Sequence, residues 1–427
     1  MKRCMILFLF INICFIVFAE TLTIEEAVRL AIQNNLTIKQ NAFELENQKM
    51  ASDRAWNVFF PQANAGLTRN RPLSIVESVP KEIDRWTPGY QLSAGIELSL
   101  ASVSNIRSIK ADYNAGRLNF ELAKKDLETQ VRKLFYQIVL INANRSIATQ
   151  NLESTTSRHE QSVALVRIGQ VASLDELNAR VDMENSRLSL KRINTDYLNA
   201  IDQFKTILGI SVNEAVTLEG TLDIHDTDIP ESKLNTQAQS LETLALMSSI
   251  ESLKAQRMST LSSAFLPTFQ MSWNSAPQYQ YDYTTEKSNW FDQGSYSMSL
   301  NLNLDGFIPF SRTQTQIANL NNNIKSAQLR LNETNRNRQD RINQISRLVN
   351  NTAESIEILK LNMEATQTTY NIYMEMYLRG AIDFQNIRDA SQNLLNAQYQ
   401  MQQEHYNLIS AILDLEKELN VPFGSIK

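Results

Sequence analysis

The sequence predicts a mainly α-helical protein with a few β-strands set in two pairs, built from long coiled helices and a sheet that one copy cannot close. Three observations carry this. First, the chain states its plan twice: from Ala55 to Leu67 around Pro61, and from Leu261 to Trp273 around Pro267, a helical pattern stops and a period of two begins. Proline has no amide proton to continue a helix and biases the residue before it to extended geometry. Tyr90 and Tyr296 each open a second alternating stretch 29 residues beyond those prolines, and Gly169 and Gly380 each interrupt a very long helical pattern. Second, 427 residues contain only 11 Gly and 9 Pro, so the elements are long and uninterrupted. Third, beyond the N-terminus there is no run of about 18 apolar residues, so any membrane crossing must use strands.

Residues 1–19 carry Lys2 and Arg3, an apolar run from Met5 to Phe18, and small Ala19 at the exit, the pattern of a removed signal peptide. Both cysteines, Cys4 and Cys14, fall inside it, so the mature chain is expected to hold no disulfide and no thiolate. The formal charge of −5 becomes −7 without Lys2 and Arg3, which argues against a nucleic-acid partner. The duplication places the first repeat at 20–231 and the second at 232–427.

Within the first repeat, Ile24, Ala31, Ile38, Leu45, Ser52 and Phe59 keep a seven-residue spacing, which predicts one helix from Thr23 to about Phe59, opened by a Thr23/Glu26 capping box. A strand at about 62–70 follows, then a loop from Arg71 to Gly89, then a strand at about 90–100 with Tyr90, Leu92, Ala94, Ile96 and Leu98 on one face. From about Val103 to Ile168 the row Phe120, Leu127, Leu134, Ile141, Ala148, with Val131 and Ile138, is a coiled-coil seam. After Gly169 a returning helix runs to about Leu208 on Met183, Leu190, Tyr197 and Phe204 with Ser186, Ile193, Ala200 and Ile207, and a mixed connector from Gly209 to Glu231 closes the half.

The second repeat follows the same order. A helix from Lys233 to about Phe265 leads to a strand at about 268–283, in which Phe269, Met271, Trp273, Tyr279, Tyr281 and Tyr283 share one parity, and then to a strand at about 296–305. The helix from Ser311 to Arg379 has the clearest seam: Ile342/Ile345, Val349/Thr352, Ile356/Leu359, Met363/Thr366, Tyr370/Tyr373 and Tyr377. After Gly380 the last helix carries Ile387, Leu394, Met401, Leu408 and Leu415, and Pro422 ends it.

Four strands cannot close a barrel, since small barrels need about eight, and open edges are not tolerated in lipid. Several copies must therefore contribute, with polar faces inward and apolar faces toward lipid. Trp86, Tyr90, Trp273, Tyr279, Tyr281, Tyr283 and Trp290 near the loop ends are the expected interfacial aromatics.

With these features together, the chain resembles the TolC family of outer-membrane efflux proteins over essentially its whole mature length. The duplication, the two helix-to-strand prolines, the connector Leu208-Gly209-Ile210 with Leu218-Glu219-Gly220, and the two tips carry the resemblance. The first tip, around Arg167, Ile168, Gly169, Val171 and Ala172, looks like the family's Val-Gly-x-Val-Ala tip, and the second, Tyr377, Leu378, Arg379 and Gly380, like its Tyr-x-x-Gly tip. The resemblance implies a homotrimer, with one twelve-stranded barrel in the outer membrane and a periplasmic tube of coiled helices. It also implies that the tips meet a periplasmic adaptor protein serving an inner-membrane transporter. Family members narrow the periplasmic entrance with acidic side chains six and nine residues beyond the second tip glycine, which are Asn386 and Asp389 here. Asp389 matches the pattern, Asn386 departs from it, and Asp383 stands close enough to substitute.

Plainer readings stand beside these. Asp175, Asp383 and Asp389 suit solvated positions near helix starts, and Arg167 and Arg379 suit helix C-termini, on charge–dipole grounds alone. Tyr370, Tyr373 and Tyr377 lie on the seam, where packing is the default and a gating hydrogen bond is secondary. His159, His225 and His405 are scattered without partners at ligand spacing, and no phosphate loop or nucleophile elbow is present, so neither a metal, a cofactor nor catalysis is expected. A non-conducting coiled-coil protein of the cell envelope is the alternative, and the paired alternating stretches speak against it. The cargo is not written in the chain.

Overall fold

The computed structural model describes residues 20–70, 87–222, 239–282, 287–292 and 294–426. The expected signal peptide at 1–19, most of the loop from Arg71, Trp86, His225, Pro230 and Tyr283 lie outside the described residues. The first half holds β1 (Glu20–Leu22), α1 (Ile24–Asn34), α2 (Leu36–Asp53), a 3-10 turn (Ala55–Phe59), β2 (Gln62–Asn70), β3 (Thr87–Leu98), α3 (Leu100–Arg167), α4 (Ser173–Leu208) and β4 (Val216–Leu218). The second holds α5 (Leu241–Phe265), β5 (Thr268–Ser275), β6 (Pro277–Asp282), β7 (Lys287–Asp292), β8 (Ser295–Asn301), a 3-10 turn (Asp305–Phe307), α6 (Arg312–Leu378) and α7 (Phe384–Leu419). Two compact units result, each drawn from both halves of the chain: Asn41–Leu122 with Leu241–Asn337, and Met1–Gln40 with Ala123–Ser240 and Arg338–Lys427.

The first unit contains the large sheet. Its antiparallel order is β7-β6-β3-β5-β8, with β2 on the other side of β3. Register brings the expected apolar parity into one surface across four strands: Ala63 opposite Ala94, Ala94 opposite Trp273, and Trp273 opposite Tyr296. The next rows are Ile96, Met271 and Met298, then Leu98, Phe269 and Leu300, while Gly95, Ser272 and Ser297 form a polar row on the opposite face. Because side chains alternate with a period of two, a slip of one residue would invert every row. The apolar surface is uncovered in one copy, with Leu67 88%, Tyr296 86% and Met298 72% exposed. Among the described residues β2 and β8 each pair on one side only.

The strand expected at 268–283 is interrupted at Ala276. Pro277 has no amide to donate, and the Asp292 carboxylate accepts from the Ala276 N–H at 3.0 Å and the Ser275 hydroxyl at 2.8 Å. Register survives the interruption, with Asn274 opposite Ser295 and Pro277 opposite Asp292. Where the strands give way to helices, α3 and α5 run antiparallel on small residues: Ser108 and Ser252 hydroxyls meet at 3.1 Å, and the Ser259 hydroxyl donates to the Ala101 carbonyl at 3.1 Å.

In the second unit the seams hold as spaced. Ile342, Val349, Leu408, Ala411, Ile412, Leu415, Leu419 and Ile426 form one buried cluster, with Ile345 and Ile356 against it. Ile387, Leu394, Met401, Leu408 and Leu415 are all buried on α7, as are Leu127, Val131, Leu134, Ile138 and Ala148 on α3. Two details differ from the periodic pattern. The single helix expected from Thr23 to Phe59 breaks at Asn35, which turns extended at ψ 127° and caps α2 by accepting from the Thr37 and Ile38 N–H groups at 2.9 and 3.3 Å. The short strands β1 and β4 pair in parallel, Thr21 opposite Thr217, and escape a sequence reading because three residues carry no period. The Thr23/Glu26 capping box is present.

Candidate functional site

The two glycine turns end α3 and α6 in the same way. At the first, the Gly169 N–H donates to the Val166 carbonyl at 3.0 Å and the Gln170 N–H to the Leu165 carbonyl at 3.0 Å. At the second, the Gly380 N–H donates to the Tyr377 carbonyl and the Ala381 N–H to the Met376 carbonyl, both at 2.9 Å. These are Schellman closures, in which a left-handed residue lets the chain turn while two orphan carbonyls are satisfied. Gly169 and Gly380 supply that residue at φ +73° and +69°, with open space where a side chain would stand. Arg167, Ile168 and Ala172 are exposed at the first turn and Val171 is half-buried; Leu378 and Arg379 are exposed at the second. Arg379 pairs with Glu375 one turn back on its own helix. Among the described residues no hydrogen bond or ion pair joins one loop directly to the other.

The helices behind the loops do meet. Tyr377 is 1% exposed and packs with Ala179, Phe384 and Ile387, with Leu165, Tyr370, Met374 and Ile382 around them. Its ring lies edge-on to Phe384 at 5.9 Å, and its hydroxyl lies 3.0 Å from that of Ser162 on α3. One heptad earlier the Tyr370 hydroxyl meets that of Ser154 at 2.8 Å. Tyr377 is thus a buried, hydrogen-bonded anchor behind the turn.

Asp383 takes the N-cap position of α7, yet its side chain makes no capping bond. Asn386 and Asp389 are exposed and lie away from the buried row Ile387, Ala390 and Leu394; the Asp389 carboxylate accepts from the Gln385 amide at 2.8 Å. The three polar residues therefore stand on α7 within the first two turns beyond the second tip, on a surface their own chain leaves uncovered.

A charge cluster at the same level escaped the sequence reading. Arg388 Nε on α7 lies 3.4 Å from the Asp182 carboxylate on α4, and Arg158 on α3 is close enough to act on the same carboxylate. Burial raises the Asp182 pKa from its ordinary value, and the two arginines partly offset this. Arg158 is itself 2% exposed, and its Nε and Nη1 have no acceptor. A signal existed in the heptads, because the α3 row through Ile141 and Ala148 continues to Thr155 and Ser162, both buried. A seam turning from aliphatic to hydroxyl and guanidinium groups marks the stretch near the tip.

Among the described residues no group of three or more His, Cys, Asp and Glu is placed to hold a metal, and no helix is long and apolar enough to cross a membrane. The arrangement contains paired turns, a buried polar seam and uncovered polar side chains, which suit contact and constriction.

Residues 27–210 match the family model described as outer membrane efflux protein. No curated protein matches the chain significantly in sequence. Solved structures are similar over nearly its whole length. The CmeC outer membrane channel of Campylobacter jejuni shows 16% identity and a TM-score of 0.80, over 93% of this chain and 85% of that one. The outer membrane protein VceC of Vibrio cholerae shows 14% identity and a TM-score of 0.78, over 94% and 96%. The MtrE outer membrane channel of Neisseria gonorrhoeae in its open state shows 13% identity and a TM-score of 0.74, over 93% and 89%.

Proposed function

We propose, on the premise that residues 27–210 belong to the outer membrane efflux protein family and that the described chain has the fold of solved outer-membrane channels, that this protein is the outer-membrane exit duct of an efflux system. The observation that carries the reading is the pair of open edges, β2 and β8, on a sheet with one apolar and one polar face. Each unpaired edge group in hydrocarbon costs several kcal/mol, so the edges must find partners. With β6 and β7 counted as continuations of β5 and β8 in the same register, each copy offers four strands, and with β2 of one copy beside β8 of the next, three copies supply twelve and the wall closes with its polar rows inward. The apolar rows through Leu67, Tyr296 and Met298 then meet lipid.

The helices extend this duct on the periplasmic side, each half of the chain acting as one repeat. The tips, with Ile168, Val171, Ala172 and Leu378 around their glycines and Arg167 and Arg379 beside them, meet a periplasmic adaptor coupled to an inner-membrane pump. The duct is passive and direction comes from that pump. Asp389, helped by Asp383 and Asn386, narrows the entrance with negative and polar side chains, while Tyr377 holds the turn from behind. Asn386 leaves the ring one charge per copy short of an acidic pair at positions 386 and 389, which weakens it, because field strength scales with the charges facing the lumen.

The test is conduction. Protein purified from outer-membrane fractions should run as a heat-labile trimer and open discrete conducting pores in planar bilayers. A soluble, non-conducting monomer recovered from the periplasm would reject the reading in favour of a structural coiled-coil protein.

A further inference from the structure

The groove between α3 and α5 in the sheet-bearing unit has a charge pattern that conduction does not explain. It encloses about 580 Å³ and is walled by Arg107 and Lys110 from α3 and by Lys254 and Arg257 from α5, with Glu251 the one acid. Small residues at its floor, Ala111 and Ala255, let the helices approach, and the four cationic chains line one groove. None of the four has a carboxylate within 4.0 Å among the described residues, although Glu251 lines the same groove. Arg257 is held in place by donating from Nη1 to the Asn321 side-chain oxygen at 3.1 Å, and its Nε is buried without an acceptor. A buried guanidinium nitrogen left unpaired beside three more cations is costly unless an anion completes it.

We propose that this groove binds a phosphate group, taken between Arg107 and Arg257 with the two lysines adding charge. Guanidinium forks match phosphate oxygens in pairs, and ammonium groups supply point charge. The surroundings favour a phosphate carried by a membrane lipid over a soluble one. Leu100, Val103, Arg107 and Lys110 share one face of α3 by their spacing. Leu100 is 60% and Val103 50% exposed on the turns nearest the end of β3. On α5, Met258 is 55% exposed beside Arg257. Arg107 then stands about 10 Å along the helix from Leu100, at 1.5 Å per residue. Apolar side chains next to the sheet with cations just beyond suit acyl chains above a headgroup. The phosphate chemistry stands on the groove alone, and only the lipid source rests on the membrane reading above.

The test uses the full chain purified in detergent. Phosphatidylglycerol and inorganic phosphate are titrated separately, and retention is read by native mass spectrometry. The native protein should retain phosphatidylglycerol in preference to phosphatidylcholine. Arg107→Gln combined with Lys110→Gln should weaken retention by about tenfold or more, as loss of charge-assisted bonds does. Both residues are exposed, so the variant keeps the fold; Arg257→Gln is the stricter test, accepted only where circular dichroism is unchanged. Inorganic phosphate binding as tightly as the lipid would keep the phosphate site and assign a soluble source. Binding of neither probe, or equal binding by the variant, would overturn the proposal. So would collapse of the assembly in the variant with no change in lipid retention, since the groove would then be filled by a second copy's carboxylate. The readout is independent of conduction, so failure here and failure of the channel reading are separate results.

Discussion

The hydroxyls of Tyr377 and Ser162 lie 3.0 Å apart in a setting where both residues are buried, Tyr377 at 1% and Ser162 at 0% exposure. One residue is on α6, three positions before its tip glycine, and the other on α3, seven before its own. The bond therefore ties the two helices behind both turns. Tyr377→Phe removes one partner and leaves the Ser162 hydroxyl buried without the other, at a cost of about 1–3 kcal/mol. Ser162→Ala should cost a similar amount, and the double variant should cost clearly less than the sum. Native-state hydrogen exchange in the last turns of α3 and α6 reads this local stability. Fully additive effects would show that the two hydroxyls do not interact.

Arg158 should behave as a buried charge that the fold carries at a loss. With Nε and Nη1 lacking acceptors, replacing it together with the carboxylate it acts on, Arg158→Met combined with Asp182→Leu, is expected to leave stability unchanged or to raise it by about 1–4 kcal/mol. The thermal midpoint of the purified protein measures this. A marked fall in the midpoint would mean that the guanidinium is paired in the assembled protein.

Asp182 provides a pH prediction with a definite sign. Burial raises its folded pKa, the largest influence, against the opposing pull of Arg388 and Arg158. A carboxyl group whose folded pKa lies above its unfolded value binds more protons when folded. It therefore subtracts stability as pH rises through that window and adds none below it. Asp182→Asn should accordingly be more stable than the native protein at pH 7, with the gap closing below the usual carboxylate range. Denaturant midpoints at the two pH values decide it; a gap of opposite sign would show that the pairing with Arg388 outweighs burial.

The glycines should separate into strained and crowded positions. Gly169→Ala and Gly380→Ala meet open space and pay only for the left-handed backbone, about 1–2 kcal/mol each. Gly209→Ala carries the same backbone demand at φ +68° and also places its Cβ 2.8 Å from the Asn34 carbonyl oxygen, so it should cost clearly more. Asparagine, which tolerates the left-handed region better, should partly rescue the first two positions and not the third. Urea unfolding midpoints rank the variants.

Asp389 tests the constriction. If its uncovered carboxylate faces the entrance, Asp389→Ala should weaken block of single-pore current by multivalent cations added on the tip side, while trimer stability stays the same. Asn386→Asp should strengthen the block, because a second charge one turn away raises the local field. Block that ignores both changes would remove Asp389 and Asn386 from the constriction.

Periodicity made most of the fold legible. The rows at Ile342, Val349 and Tyr377 and at Ile387, Leu394 and Leu415 name their own buried face, because a helix returns to one side every three to four residues. The strands likewise declare their two faces, and the register across β2, β3, β5 and β8 keeps every expected row intact. The tip glycines were also readable, since a left-handed turn between two long helices has few other solutions. The break at Asn35 was hidden because Ala31 and Ile38 stay in phase across it, so the apolar row gives no sign of the interruption.

By itself, then, the amino-acid order determined which long segments are helix or strand, which side of each is apolar, and where the long helices turn, because these depend on neighbours a few residues apart. Only the tertiary structure decided which seams meet and at what height. Ser162 faces Tyr377, Asp182 sits between Arg388 and Arg158, and Arg107 and Lys254 share one groove. Such partners come from helices far apart in the chain, and hydroxyl or charged groups leave no repeating trace of whom they will meet. Their pairing follows from how the helices slide against one another as the small and large side chains of each seam interlock.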